Sequence, residues 1–333
     1  MAPRIVGIDL ARGLAVLGMF IAHAIPRPDV GELLVDGRSS ILFATLAGVS
    51  LGLITGGDRP LPRGRRRTRV LGVLVRAAAI FVIGALLLLL DSEIAIILDY
   101  YGIMFVLLIP LLFLPRWLLA VIAGVLAVAM PAYAMTLPFV DESDPGLDGA
   151  LQDYLFTGYY PALVWLPFLL VGLICARSGL ARPATQLAMT GGGVLAAVVG
   201  YTVGAVLPGA AATAHSGSTA ELVGSGGVAV AVTGVVLWMT APDRGAFGRV
   251  IRTATSPLAA VGSLALSVYV LQIIVLAMAV ALRAEGSVDY PGWPLLTVLV
   301  FGSLIGAWLW RRFVGRGPLE RAIGALSRLP ARV

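Results

Sequence analysis

Three side chains that can carry a charge or move a proton lie within the first apolar stretch of the chain. Asp9, Arg12 and His23 fall between Ile5 and Ile25, in a segment otherwise apolar enough to cross a bilayer. Because an α-helix turns about 100° per residue, steps of three and four place these side chains within about 60° of one another. An ionisable group inside a membrane is costly unless it is paired or faces a cavity. The pattern therefore indicates a helix face turned toward the protein interior, with a function there.

The chemistry open to these residues differs between the two ends of the predicted helix. Histidine is the usual general base near neutral pH, and Asp29, Glu32 or Asp36 in the following hinge can orient the ring of His23. The alternative is an inert histidine at the level of the lipid headgroups. Asp9 and Arg12, roughly 16 Å away along the helix axis, form either a functional pair or a structural ion pair that neutralises both charges.

Other polar residues inside apolar stretches are weaker candidates. Asp99 is predicted about one turn inside the membrane, and Tyr101 beside it belongs either to a site or to an interfacial aromatic belt. Trp165, between two prolines, either lines a cavity or packs. Gln272 is costly to bury and is expected to reach the cavity. The second histidine, His215, lies in an Ala/Ser/Gly-rich stretch, and we expect it to be exposed.

An arginine-rich segment, RPLPRGRRRTR, follows the second apolar stretch. It is either a topology determinant lying on anionic lipid or a landing site for a phosphorylated substrate, since guanidinium forks match phosphate oxygens. All 24 basic residues of the chain are arginines. The arginines proposed to meet phosphate are Arg63, Arg65, Arg66, Arg67 and Arg69.

The composition predicts an all-α polytopic membrane protein that forms one domain over residues 1–333. Hydrophobic residues make up 59% and charged residues 13% of the chain, against about 25% charged in soluble proteins. About ten transmembrane helices with both termini in the cytoplasm place most arginines inside. A short amphipathic cytoplasmic tail is predicted at about 316–333. The predicted spans are 5–25, 38–56, 70–90, 94–114, 117–137, 159–176, 184–207, 222–241, 257–282 and 293–312.

Several classes of site are not indicated by the sequence. Two distant histidines and a single cysteine, Cys175, provide no metal-ligand spacing and no disulfide. No phosphate-binding glycine loop occurs in a suitable context. The basic residues flank apolar spans, so we expect membrane lipids as partners rather than nucleic acid.

Two successive segments of the chain resemble the start of the bacterial heparan-α-glucosaminide N-acetyltransferase-like proteins, in the transmembrane acyltransferase superfamily. They read RIVGIDLARGLAVLGMFIAHA and DGRSSILFATLAGVSLGL. The resemblance continues through ILDYYGIMF, GYYPALVWLPFLLVGLICAR, SLALSVYVLQ and RRFVGRGPLE, and so covers nearly the whole chain. The most specific element is D-x-x-R-G inside a membrane helix that ends in histidine.

The resemblance implies an enzyme of the bacterial cytoplasmic membrane that uses acetyl-CoA or another acyl-CoA and no metal. The acyl group would pass to an extracytoplasmic sugar amine or hydroxyl on a glycan or glycolipid, with His23 as general base or acyl carrier. Asp9 and Arg12 would lie on the path of the acyl donor. The candidates for binding the acceptor or the oxyanion are Asp36, Arg38, Ser39, Ser40, Asp99, Tyr101, Trp165 and Gln272.

Two other classes of protein remain open. Polar residues facing a cavity and proline-broken spans also suit a transporter or flippase for small molecules or lipids, without covalent chemistry. A structural or lipid-binding membrane protein is the third reading. The sequence leaves the acceptor, the acyl chain length and a homodimeric assembly open.

Overall fold

The computed structural model describes residues 4–25, 31–138, 146–285 and 292–329, and the regular structure within these ranges is helical. A π-helical turn, Asp153–Thr157, follows the sixth helix. The helices are α1 (Val6–Ala24), α2 (Arg38–Ile54), α3 (Arg63–Leu88), α4 (Leu98–Leu108), α5 (Arg116–Ala134), α6 (Gly146–Gln152), α7 (Ala162–Arg177), α8 (Pro183–Val206), α9 (Thr219–Met239), α10 (Gly245–Ala254), α11 (Ser256–Ser263), α12 (Ala265–Ala284), α13 (Gly292–Phe313) and α14 (Pro318–Leu326).

The molecule is an all-α, multi-pass membrane protein, as its composition predicts. Within the described ranges, seven helices are long and apolar enough to span a bilayer, or eight if the bent pair of α6 and α7 is one span. The helices α2 and α4 are apolar but shorter. Each of the ten predicted stretches falls on helical chain, whereas the count of ten spans and the location of the termini stay predictions.

Several boundaries differ from those predicted. Helix α3 begins at Arg63 rather than near residue 70, so the arginine-rich segment forms its first turns. Helix α4 begins at Leu98, four residues later than the start at Ile94 that a full-length span would need. The ninth predicted span is two helices, because the backbone departs from helical geometry at Leu264. The amphipathic helix α10 lies between the eighth and ninth predicted spans.

Close contact between backbones holds α1 and α2 at the centre of the bundle. A Cβ atom added at Gly172 on α7 would lie 1.9 Å from the carbonyl oxygen of Thr45 on α2. One added at Gly262 on α11 would lie 1.7 Å from the carbonyl oxygen of Asp9 on α1. Only glycine allows these approaches, which is typical of helix packing in membranes. Both helices that carry the predicted chemistry are therefore fixed against neighbours.

The break between α11 and α12 leaves helix ends that need hydrogen-bond partners. Arg4 donates to the carbonyl oxygen of Ser263 at 3.1 Å. The carboxylate of Glu320, on α14, accepts from the backbone nitrogens of Leu266 and Ser267 at 2.9 and 3.1 Å. A negative charge at a helix N-terminus is also favoured by the helix dipole. Helix α14, which lies within the predicted tail, is therefore fastened to the start of α12.

Candidate active site

A cavity of about 470 Å³ opens beside the last turn of α1. Its walls come from that turn, from the hinge into α2, from residues 93–95, from Tyr159 and Tyr160, and from the loop before α9. Both histidines of the chain, His23 and His215, line it, and we call it the histidine cavity. A neighbouring hollow of about 410 Å³ along residues 88–96 shares residues 93–95 with it.

His23 is held by a buried amide on another helix. The side-chain nitrogen of Gln272, on α12, lies 2.9 Å from Nδ1 of His23. Gln272 is 1% exposed, and its Oε1 has no hydrogen-bond partner among the described residues. Because oxygen and nitrogen of an amide are interchangeable in shape, either can face the ring. With Oε1 toward Nδ1, the histidine donates from Nδ1 and presents Nε2 as a lone pair.

The hinge into α2 contributes carboxylate and hydroxyl groups to the wall. Asp36, Ser39 and Ser40 are buried and line the histidine cavity. Asp36 also closes the hinge, because its Oδ2 accepts from the backbone nitrogen of Leu33 at 2.7 Å. Ser39 donates to the carbonyl oxygen of Val35 at 2.8 Å. These three polar residues are therefore positioned by the same tight turn.

Arg38 points away from this wall. It donates to Glu32 at 2.7 Å and to the hydroxyl of Tyr201, on α8, at 2.6 Å. The carboxylate of Glu32 also accepts from the backbone nitrogen of Ala214 at 3.0 Å. Arg38 and Glu32 together tie the hinge to α8 and to the loop before α9, so Arg38 supports the cavity from behind.

The predicted candidates on α4 and α7 lie in layers behind the cavity. Asp99 is 1% exposed and accepts a hydrogen bond from Tyr154, in the π-helical turn, at 2.9 Å. Tyr101 is buried between the rings of Phe43 and Phe105 rather than in an interfacial belt. Neither residue lines the histidine cavity.

Trp165 backs the aromatic wall of the cavity. Its ring meets Tyr160 edge to face at 5.0 Å and stacks on His215 at 6.1 Å between ring centroids. The indole is buried, so it packs rather than lining the space directly. The structure thus brings Trp165 to the site as a support for two residues that do line it.

The prediction that His215 is exposed is wrong: the residue is half-buried and lines the cavity. Its loop is organised by the buried carboxylate of Glu221, which accepts from the backbone nitrogens of His215 and Gly217 at 2.7 and 2.8 Å. Ser218 caps α9 by accepting from the nitrogen of Glu221. The S-x-x-E pattern of residues 218–221 is a capping-box signature, and it was the sequence signal for an ordered loop.

Burial also sets the charge of this second histidine. It lowers the pKa of His215 from its ordinary value of 6.5 to about 4, while Asp36 and Glu32 partly oppose the shift. The ring is therefore neutral at pH 7.

At the opposite end of α1, two arginines share one buried carboxylate. Asp9 is 3% exposed and lies 3.2 Å from Arg12 and 2.8 Å from Arg4. Only Arg12 is aligned for a hydrogen bond to it. Arg12 also donates to Ser50, on α2, at 2.6 Å. Arg12 therefore joins α1 to α2, and two arginines against one carboxylate leave an excess of positive charge there.

Packed side chains separate the two ends of this face. Met19 borders the histidine cavity, whereas Val16, one turn closer to Arg12, is fully buried. The polar face of α1 is thus interrupted by apolar packing, as its sequence pattern indicates. A substrate crossing from Arg12 to His23 would have to displace these two side chains.

The five predicted phosphate-binding arginines lie on the first turns of α3. Arg63, Arg65, Arg67 and Arg69 are exposed. Arg66 is half-buried, since it donates to the carbonyl oxygen of Leu61 at 2.9 Å and covers a phenylalanine ring. Within the described ranges, no group of three histidine, cysteine or acidic residues is placed to hold a metal ion.

Comparison with known families divides this site between two matches. Residues 4–202 match the family model described as "Heparan-alpha-glucosaminide N-acetyltransferase, catalytic". Residues 176–328 match a model described as "Protein of unknown function (DUF418)". A search of curated proteins finds no match. His23 belongs to the first matched region, and His215 and Gln272 belong to the second, so the histidine cavity is built from both.

Proposed function

The chain belongs to the heparan-α-glucosaminide N-acetyltransferase family, and on this premise we propose that the histidine cavity transfers an acyl group from acyl-CoA to a sugar amine or hydroxyl. The observation that carries this proposal is the hydrogen bond between His23 and the buried Gln272. A histidine oriented by a second group at the wall of a cavity is the arrangement that general-base catalysis requires.

With His23 as the general base, each proton and each bond of the acyl transfer is accounted for. Its Nε2 takes the proton of the acceptor as the acceptor nitrogen or oxygen bonds to the thioester carbon. The C–S bond then breaks, and the CoA thiolate takes the proton back, which leaves the acylated acceptor and free CoA. If His23 is instead an acyl carrier, Nε2 attacks the thioester carbon and the CoA thiolate leaves. The acceptor then takes the acyl group from Nε2, and its proton goes to the thiolate. Both mechanisms require that Oε1 of Gln272 faces Nδ1 of His23.

Hydroxyl groups at the cavity wall are placed to stabilise the oxyanion that forms during acyl transfer. Ser40 and Tyr160 both line the cavity. A hydroxyl that donates to the thioester oxygen would stabilise negative charge in the transition state. Asp36, in the same wall, suits contact with the acceptor.

The acyl donor is proposed to enter from the end of α1 that carries Arg12. The exposed arginines of α3 suit the CoA phosphates, and Arg12 with Ser50 suits the polar pantetheine arm. Val16 and Met19 would then move aside to let the thioester approach His23. In this arrangement the protein lies in the bacterial cytoplasmic membrane, with the donor inside and a glycan or glycolipid acceptor outside.

The closure of the cavity at Met19 and Val16 also supports a second candidate function. A substrate site open on one side and closed on the other is what an alternating-access transporter has in one of its states. In that case the cavity would bind and release its ligand unchanged.

The test is acetyl transfer from radiolabelled acetyl-CoA to glucosamine by membranes that contain the protein. Wild-type membranes should form N-acetylglucosamine, and His23→Ala membranes should lose transfer by about 10²- to 10⁴-fold. Stabilisation of the purified His23→Ala protein by CoA shows that it remains folded. Transfer retained in His23→Ala would refute the role of His23, whereas uptake of unmodified glucosamine into vesicles would favour the transporter.

A further inference from the structure

The loop that carries His215 is built to hold one side chain in place. His215 has a positive φ of 59°, a conformation that residues other than glycine rarely adopt. Glu221, 2% exposed, fixes it through hydrogen bonds from the two backbone nitrogens described above, and Glu32 ties the preceding residue, Ala214, to the hinge. An unfavourable backbone that is held by the buried carboxylate of Glu221 indicates that the position of its side chain matters.

The surroundings of the ring decide which nitrogen carries the proton. Nδ1 of His215 is buried and has no hydrogen-bond partner among the described residues. A buried lone pair without a partner is tolerated more readily than a buried N–H without one. The proton therefore belongs on Nε2, the nitrogen that remains for contact with the cavity.

Aromatic rings complete this wall. The ring of Tyr159 lies 4.5 Å from that of His215 and that of Tyr160 lies 5.4 Å away, measured between centroids. Tyr159 is 52% exposed, although most of this cluster is covered. A half-exposed aromatic face beside a fixed hydrogen-bond donor suits a ligand with one apolar face and polar edges, which is the shape of a sugar ring.

We propose that His215 is an acceptor-binding residue, which donates its Nε2–H to a hydroxyl or amine of a sugar ring stacked on Tyr159. His23 and His215 then act on one substrate from different walls of the cavity, the first on its proton and the second on its position. This inference rests on the proposed acyl transfer for its kinetic test but not for its binding test.

The binding test uses the fact that the chain has two histidines. In protein labelled with ¹⁵N-histidine and carrying His23→Gln, the remaining imidazole signal belongs to His215. At pH 7 it should show a protonated Nε2 and an unprotonated Nδ1, and glucosamine should shift it. A proton on Nδ1, or no shift with glucosamine, would overturn the proposal whether or not the protein transfers acyl groups.

The kinetic test compares two substitutions that tolerate the positive φ. His215→Gly removes the ring and relieves the backbone, and we expect the KM for glucosamine to rise about tenfold or more with the KM for acetyl-CoA unchanged. His215→Asn retains a side-chain N–H donor and should recover part of the loss. Thr213→Ala, at an exposed site in the same loop, is the matched control. An unchanged KM for glucosamine in both His215 variants would contradict the assignment.

Discussion

Replacing Gln272 by methionine separates the orientation of His23 from the stability of the fold. The substitution keeps the side-chain volume nearly constant and removes the hydrogen bond to Nδ1. It also removes the other polar atom of the buried amide, which lies at a position with no hydrogen-bond partner among the described residues. We therefore expect the thermal stability of Gln272→Met to be unchanged or higher, while its activity falls.

The size of the loss follows from the hydrogen bond. A neutral hydrogen bond contributes about 0.5–1.5 kcal/mol, so the turnover number should fall roughly 2- to 13-fold. His23→Ala alone should cost about 10²- to 10⁴-fold. Because Gln272 acts only through His23, the double variant should be no slower than His23→Ala.

The measurement is the initial rate of acetyl transfer to glucosamine at saturating substrate, together with the melting temperature in detergent. Gln186→Met is the matched control, since Gln186 is 3% exposed on α8 and donates to the carbonyl oxygen of Leu180 instead. Its activity should not change. If the double variant loses the product of the two single losses, Gln272 acts independently of His23 and the reasoning fails.

Three further outcomes follow from the structure. Arg12→Gln should raise the KM for acetyl-CoA about 10- to 100-fold with little change for glucosamine, because a charge-assisted hydrogen bond contributes about 1.5–3 kcal/mol. Gly172→Ala should lower the melting temperature because its Cβ would meet the carbonyl oxygen of Thr45, whereas Gly191→Ala, in open space, should not. Since the pKa of His215 is about 4 in the folded protein and 6.5 ordinarily, stability should be lost as pH falls from 6.5 to 4, by about 1–3 kcal/mol.

Each of these outcomes has a result that would contradict it. An equal effect of Arg12→Gln on both substrates would remove Arg12 from the donor path. Equal melting temperatures for the two glycine variants would mean that α2 and α7 can separate without cost. For pH, the comparison is His215→Asn, which retains the nearby Glu32 and Asp36. If its acid sensitivity equals that of wild type, those carboxylates rather than His215 cause the loss.

The polar face of α1 was predictable because the residues that define it are close together in the sequence. The steps between Asp9, Arg12 and His23 define one face, and burial of that face follows from the cost of charge in lipid. The same cost argument predicted that Gln272 reaches the cavity, but the amide is not among the residues that line it and bonds to His23 instead. This partner could not be predicted, because His23 and Gln272 are 249 residues apart and no local pattern records their contact.

The burial of His215 and Arg177 depends on tertiary contacts that cannot be inferred from local composition. His215 was expected to be exposed because its neighbours are small and polar, but Glu221 folds this stretch over the cavity. The predicted topology treats most arginines, Arg177 among them, as cytoplasmic charges that flank the spans. It is buried, and it donates to Thr55 and to the carbonyl oxygens of Gly57 and Leu112. Counting charges cannot separate an arginine that bonds to backbone from one that faces lipid headgroups.

Because His23 and Gln272 are far apart in the sequence, His23 is synthesised well before its hydrogen-bond partner. At about 5–20 residues per second, the ribosome needs roughly 12–50 s to extend from one to the other. Glu320, which holds the first residues of α12, is made later still. During that interval α1, with its charged residues, must remain in the membrane without its contacts to α11 and α12, which have not yet been synthesised. The partner of His23 is therefore made only after most of the helices that separate it from α1 in sequence.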